Sequence, residues 1–363
     1  MDEDLIFESR NIKDHSTGYH SLNFKAGEKL IVHGSKKFEQ LLQSKNHCFA
    51  YTSQTYNNPP QLEFKKNGTN QSILFKSNLH QKEYFYGKSE IVYYRDSAGE
   101  MVKSAMIYPA GFNPSKKYPM IVYIYENMSG LVNNYQNPSL QSTIGFNISN
   151  YSINGYFVLL PDIIYKKGNP GISALESVKS AVNAVLEKGF VDRKRIGLYG
   201  HSFGGYEANF IISQTGLFSA AASGAGISNI IGYYFNISRN GIAQSEMWRF
   251  ESQQYRIGNS LFEKKENYLK NNPLLNADKI NTPLLLWSGK EDRVVPYTQS
   301  VAYYLALRKL KKPSVMLIYP TEDHNLKKAS NQEDLSRRIM EWFDYFLKGK
   351  KTAEWISYGT SND

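Results

Sequence analysis

The sequence predicts an α/β protein in which a mostly parallel sheet with helices on both faces follows a short all-β segment. Two observations carry this reading. From about residue 85 onward, apolar strands of the buried type alternate with stretches of helical period, as they do where parallel strands are joined by helical crossovers. Before that point, short aromatic and β-branched runs are separated by Gly, Asn and Pro clusters, and no long helical pattern occurs.

In the first segment the runs Tyr19–Phe24, Lys29–Val32, His47–Ser53 and Gln71–Phe75 read as strands, and Asn57-Asn58-Pro59-Pro60 reads as one of the breaks between them. A propeller blade takes about 40 to 50 residues and a closed ring at least about four blades. Residues 1–84 therefore hold at most a partial, propeller-like piece. Next, Glu90–Arg95 and Met101–Ala110 flank Asp96-Ser97-Ala98-Gly99 and read as a β-hairpin. The buried-type strands are Pro119–Tyr125, Tyr156–Asp162, Arg195–Gly200, Phe218–Ser223, Pro283–Ser288 and Ser314–Tyr319, with helical stretches at 173–188, 203–214, 297–310 and 332–348. The expected division is an all-β segment over 1–84 and an α/β unit over 85–363. In such a sheet ligands gather at the carboxyl ends of the strands.

Composition narrows the function classes. A single Cys48 excludes a disulfide framework within the chain and any multi-cysteine metal site. The formal charge of +10 comes from scattered basic pairs such as Lys36-Lys37, Lys116-Lys117 and Lys327-Lys328, with no recognition helix or aromatic RNA-binding signature, so a nucleic-acid partner is not expected. No apolar run reaches the 18 or so residues of a membrane span, so no membrane partner is expected either. The N-terminal MDEDLIFESR lacks the basic flank and apolar stretch of a secretory signal. As written, the expectation is a cytoplasmic chain; were it part of a longer one, a periplasmic or secreted location would stay open.

The strongest chemical signal is Gly200-His201-Ser202-Phe203-Gly204-Gly205, directly after a predicted strand and directly before a predicted helix. A strand, sharp turn and helix in this order lift a serine hydroxyl above the sheet, and flanking glycines permit the strained turn, as in the α/β-hydrolase fold. Serine needs a neighbouring base, and histidine suits that task at neutral pH. In this fold the order is Ser, then Asp or Glu, then His, and His324 is the one histidine downstream of Ser202. The third member must accept a hydrogen bond from the imidazole. Asp292, in the loop after the strand Pro283–Ser288, is the first choice; Glu291 is its nearest rival, and Asp323 would have to fold back on its neighbour. The turn itself offers the Phe203 backbone N–H as an oxyanion donor. Neither a metal nor a cofactor is required.

The stretch Gly155–Asp162, then Val191-Asp192-Arg193 through Gly200–Tyr206, then Gly289-x-x-Asp292-x-x-Val295-Pro296 and Glu322-x-His324, resembles the catalytic domain of the prolyl oligopeptidase family of serine peptidases, which includes the dipeptidyl-peptidases. The 32 residues from Asp292 to His324 are in keeping with that group. The resemblance covers roughly residues 85–348 and implies that the β-segment is the tail end of a propeller. It also implies that Tyr125, at the end of a strand, supplies the second oxyanion donor with its hydroxyl. Relatives often carry Gly and Pro soon after that tyrosine, whereas Glu126-Asn127-Met128 follows here. Family members build the pocket for the residue before the scissile bond where this chain has Tyr233, Trp248, Tyr255 and Arg256. Aromatic walls would suit a proline ring or another apolar group, although packing of helices against the sheet explains each residue equally well.

The expected activity is peptide-bond hydrolysis through Ser202, Asp292 and His324, with carboxylester hydrolysis by the same groups as the alternative. A third reading, a binding module on a decayed hydrolase fold, meets intact residues at each triad position. The partner is a peptide or small ester, and a homo-oligomer is left open.

Overall fold

A computed structural model describes residues 4–66, 71–84, 86–238 and 244–358. Strands β1 (Leu5–Arg10), β2 (Thr17–Asn23) and β3 (Gly27–Gly34) form a three-stranded antiparallel sheet in that order. A second antiparallel sheet has the order β4 (Lys37–Gln43), β5 (Cys48–Thr55), β6 (Asn58–Lys66), β7 (Ser72–Lys76). Between them Tyr19, Ile31, Val32, Phe38, Phe49 and Tyr51 make a small core. β1 and β4 mix apolar with polar residues, Leu5-Ile6-Phe7 before Glu8-Ser9-Arg10 in β1 and Phe38, Leu41 and Leu42 among Lys, Glu and Gln in β4, and escape a reading based on long apolar runs. The Asn57–Pro60 break proves to open a strand: Pro59 and Pro60 stand at the start of β6, ahead of the point where Gln61 begins to pair with Lys76 of β7, and a missing N–H is tolerated there.

The expected hairpin is β8 (Ser89–Arg95) and β9 (Met101–Ile107). Asp96 Oδ1 accepts from the N–H groups of Ala98 and Glu100 in its turn, and Gly99 takes a φ of +87°. The large sheet continues with β10 (Tyr118–Ile124), β11 (Phe157–Pro161), β12 (Val191–His201), β13 (Ala220–Gly224), β14 (Leu284–Gly289) and β15 (Ser314–Tyr319). Its eight strands run in the order β15-β14-β13-β12-β10-β11-β9-β8, parallel from β15 to β11 and antiparallel from β11 to β8.

Successive residues of these strands point to opposite faces, and both faces are apolar. On one side Val122, Leu198 and Leu286 pack against α1 (Pro170–Glu187), α2 (Phe203–Ile212) and α3 (Thr298–Lys309) through Val178, Ile211 and Leu307. On the other, Ile121, Tyr199 and Leu285 meet Leu335, Ile339, Trp342 and Phe343 of α4 (Ala329–Lys348). The Trp342 indole N–H donates to Ala221 O at 3.0 Å, which satisfies its one polar atom inside this core. The result is an α/β-hydrolase sheet, with the N-terminal sheets joined to it through Tyr56, which enters the α4-side core, and a His15 Nε2 to Ser129 Oγ contact of 2.7 Å. Among the described residues no helix is long and apolar enough to cross a membrane.

Candidate active site

β12 runs into α2 through a single residue, Ser202, whose φ of +59° and ψ of −119° are strained for a residue with a Cβ. Its N–H donates to Gly224 O at 2.8 Å, tying the turn to β13. A Cβ at Gly200 would collide with Gly204 O, and one at Gly204 with Ile124 O. These glycines let α2 start immediately beside two strands. As the first helical residue, Phe203 has an N–H with no carbonyl one turn earlier to bind.

His324 lies in the loop between β15 and α4, with its side chain 15 % exposed. Its Nε2 is 2.9 Å from Ser202 Oγ and its Nδ1 is 2.8 Å from Asp292 Oδ2. The Asp292 side chain is fully buried, and its Oδ1 accepts from the N–H groups of Val294 and Val295 at 2.8 Å each. Both carboxylate oxygens are therefore hydrogen-bonded, which a buried carboxylate requires. Glu291 is exposed, with its N–H on Glu322 O.

Asp323 instead ties the two loops together. Its Oδ1 accepts from the N–H groups of His324 (2.8 Å) and Arg293 (3.1 Å), and its Oδ2 accepts from Arg293 Nε and Nη2 and from Lys327 Nζ. These hydrogen bonds outweigh its partial burial and hold its carboxyl well below the usual range. A second histidine sits behind the first. His201 stacks on Trp287 at 5.2 Å, and its Nε2 bonds to His324 O at 3.0 Å. Burial pushes it down to about 3, so it is a neutral donor rather than a competing base.

Tyr125 directly follows β10, and the pairing of Ile124 with Gly200 puts it next to the Ser202 turn, its ring beside Gly204. Its hydroxyl accepts from Gln254 Nε2 at 3.1 Å. Glu126 and Arg256 form an ion pair of 2.6 Å, and the Arg256 guanidinium stands 4.1 Å above the Tyr165 ring. The Tyr165 hydroxyl donates to Glu207 of α2. Burial pushes Glu207 up to about 8, against the opposing pull of that hydroxyl and of Arg256.

Of the residues expected to receive a substrate side chain, Tyr233 and Tyr255 belong to an aromatic cluster beside Phe203. Tyr233 and Tyr255 lie in its interior, with exposures of 0 % and 3 %. The Tyr233 hydroxyl donates to Val294 O at 2.9 Å, so it props the Asp292 loop, and Tyr255 stacks on Phe250 with centroids 4.2 Å apart. Trp248 and Arg256 are half-buried, and Arg256 meets the cluster through Tyr165. A cleft of about 950 Å³ lined by Ile237, Arg293, Pro296 and Thr321 flanks the Asp292 loop rather than the Ser202 hydroxyl. Sequence reasoning missed His201, Gln254, Glu126 and Glu207. Of these, His201 had a signal in its place inside the glycine-rich turn, and Glu126 in its place directly after Tyr125.

Comparison with known proteins returns the same architecture. Residues 166–350 match the profile of the prolyl oligopeptidase family. An uncharacterized peptidase of Bacillus subtilis is 27% identical over 275 residues, 73% of this chain and 40% of that protein. The dipeptidyl-peptidase 5 of Porphyromonas endodontalis is 24% identical over 269 residues, 69% of this chain and 36% of that protein. The chain thus spans well under half the length of these relatives. Among solved structures, the acylaminoacyl peptidase of Pyrococcus horikoshii superposes with a TM-score of 0.74 at 21% identity, covering 94% of this chain and 56% of that one.

Proposed function

The chain belongs to the prolyl oligopeptidase family, and from that premise we propose that it is a serine peptidase in which Ser202, His324 and Asp292 form the catalytic triad. The observation that carries the reading is the unbroken pair of contacts from Ser202 Oγ to His324 Nε2 (2.9 Å) and from His324 Nδ1 to Asp292 Oδ2 (2.8 Å).

Ser202 Oγ attacks the scissile carbonyl carbon while its proton passes to His324 Nε2. The Phe203 N–H and the Tyr125 hydroxyl receive the oxyanion that forms. Asp292 fixes the imidazole so that Nε2 faces the serine and stabilises the imidazolium. Collapse of the tetrahedral adduct breaks the C–N bond, the His324 proton goes to the leaving amine, and an ester to Ser202 remains. A water molecule, deprotonated by His324, then hydrolyses that ester and restores the serine. The subsite for the residue before the scissile bond lies beside Phe203, with the half-buried Trp248 and Arg256 at its wall and the enclosed Tyr233 and Tyr255 packed behind it. The division into an all-β segment over 1–84 and a catalytic unit over 85–363 is part of the same proposal.

Labelling with a fluorophosphonate probe tests it. The chain is expected to be modified at Ser202, and Ser202→Ala to lose both the label and all hydrolysis. Equal labelling of both proteins would overturn the assignment. Digestion of a peptide library read by mass spectrometry then separates peptidase from esterase: cleaved esters with intact peptides would favour the latter.

A further inference from the structure

The Tyr125 hydroxyl is not left to solvent. Gln254 Nε2 donates to it at 3.1 Å, and Gln254 is fixed from both ends. Its main-chain oxygen accepts from Arg256 Nη1, and its amide lies 3.4 Å from Glu126 Oε2. Glu126 Oε1 takes Arg256 Nη2 at 2.6 Å. Arg256 rests on the Tyr165 ring, and Tyr165 is bonded to Glu207, five residues along the chain from Ser202. The circuit therefore starts beside the nucleophile, leaves its helix and returns at the tyrosine.

Two of its members are held in the left-handed region, Glu126 at a φ of +46° and Arg256 at +51°. Such conformations are strained in residues with a Cβ and persist where surrounding contacts over-determine them. Here the two strained residues are each other's ion-pair partners. Both strained residues thus belong to the local arrangement that ends at the Tyr125 hydroxyl.

We propose that Gln254, clamped by the Glu126–Arg256 pair, is a positioning residue that orients the Tyr125 hydroxyl toward the developing oxyanion. A phenol oxygen accepts one good hydrogen bond and donates one. With Gln254 filling the acceptor side, the O–H proton is directed away from Gln254. A donor that itself accepts a hydrogen bond is also polarised to donate more strongly. The proposal rests on the reading of Tyr125 as an oxyanion donor.

A double-mutant cycle on the full chain tests it, with 4-nitrophenyl butyrate as the probe, since its hydrolysis forms an oxyanion whatever the peptide preference. Tyr125→Phe is expected to lower kcat about 100-fold. Gln254→Leu is expected to lower kcat about 10-fold with KM within twofold, and to cost nothing further in the Tyr125→Phe background. Gln254→Met serves as a second variant if the first lowers the unfolding temperature. Additive losses in the double variant, or a change confined to KM, would overturn the positioning role while leaving Tyr125 in place. An unchanged kcat in Tyr125→Phe would remove the premise and the proposal together, without touching the Ser202 assignment.

Discussion

The N-terminal sheets and the eight-stranded sheet handle apolar surface in opposite ways. In the large sheet β11, β13 and β14 are buried along their whole length, because the chain supplies helices for both faces. In the N-terminal sheets Leu5, Leu42, Leu74 and Phe75 are exposed, as is Phe24 in the turn after β2, and every residue of β7 faces solvent. One region has closed its core with its own elements; the other has built a small core between two sheets and left apolar positions uncovered. The proposed chemistry sits on the closed region. A strained Ser202 and a buried, doubly bonded Asp292 need rigid surroundings, and the large sheet provides them.

Two buried carboxylates, one per region, put this contrast at risk. Asp292→Asn replaces the acceptor of the His324 N–H by an amide and is expected to lower kcat by about 10⁴-fold. Glu63 is equally enclosed in the N-terminal sheets, where Oε1 takes hydrogen bonds from Ser53 Oγ (2.5 Å) and Gln61 Nε2 (2.7 Å). Glu63→Gln is expected to cost about 1 to 3 kcal/mol of stability and to leave kcat within twofold. Urea unfolding and initial rates on both variants decide it. A loss of activity in Glu63→Gln comparable to that in Asp292→Asn would mean that the β-segment takes part in the chemistry.

Truncation sharpens the same comparison. Leu286 is fully buried in β14, and Leu286→Ala is expected to destabilise by about 2 to 5 kcal/mol. Leu74 on β7 is 58 % exposed, and Leu74→Ala should change stability by about 0.5 kcal/mol or less. Similar shifts in urea midpoint would show that β7 is covered in solution.

The large sheet was legible because a strand buried on both faces is a continuous apolar run, and the grouping of Ser202, Asp292 and His324, which the fold brings within hydrogen-bond reach, because motif and chain order leave few choices. Half-exposed strands carry a weaker signal, which is why β1, β4 and the proline-led β6 did not stand out. The supports of the site were illegible for another reason. Arg256 meets Glu126 across 130 residues and Arg293 meets Asp323 across 30, and nothing local marks either pair. Asp323 looked like a poor rival for the triad; folding turned it into the tie between the loops of Asp292 and His324.

Glu207 gives the finest test, since it asks whether the closed region is as dry as its packing implies. An ordinary glutamate titrates near 4.5, and burial beneath Tyr165 raises this one to about 8. The folded chain therefore holds this proton more tightly than the unfolded chain. The stability it confers is complete below about pH 4.5, declines as pH rises, and is lost as pH passes through about 8. Between pH 6 and 8 the decline from this one group should be about 2 kcal/mol. Glu207→Gln keeps an uncharged side chain of the same shape at every pH and should flatten that part of the profile, measured as urea midpoints at pH 6, 7 and 8. An unchanged slope would mean that water reaches the carboxyl and that the floor beneath Tyr125 and Arg256 is wetter than the rest of the sheet.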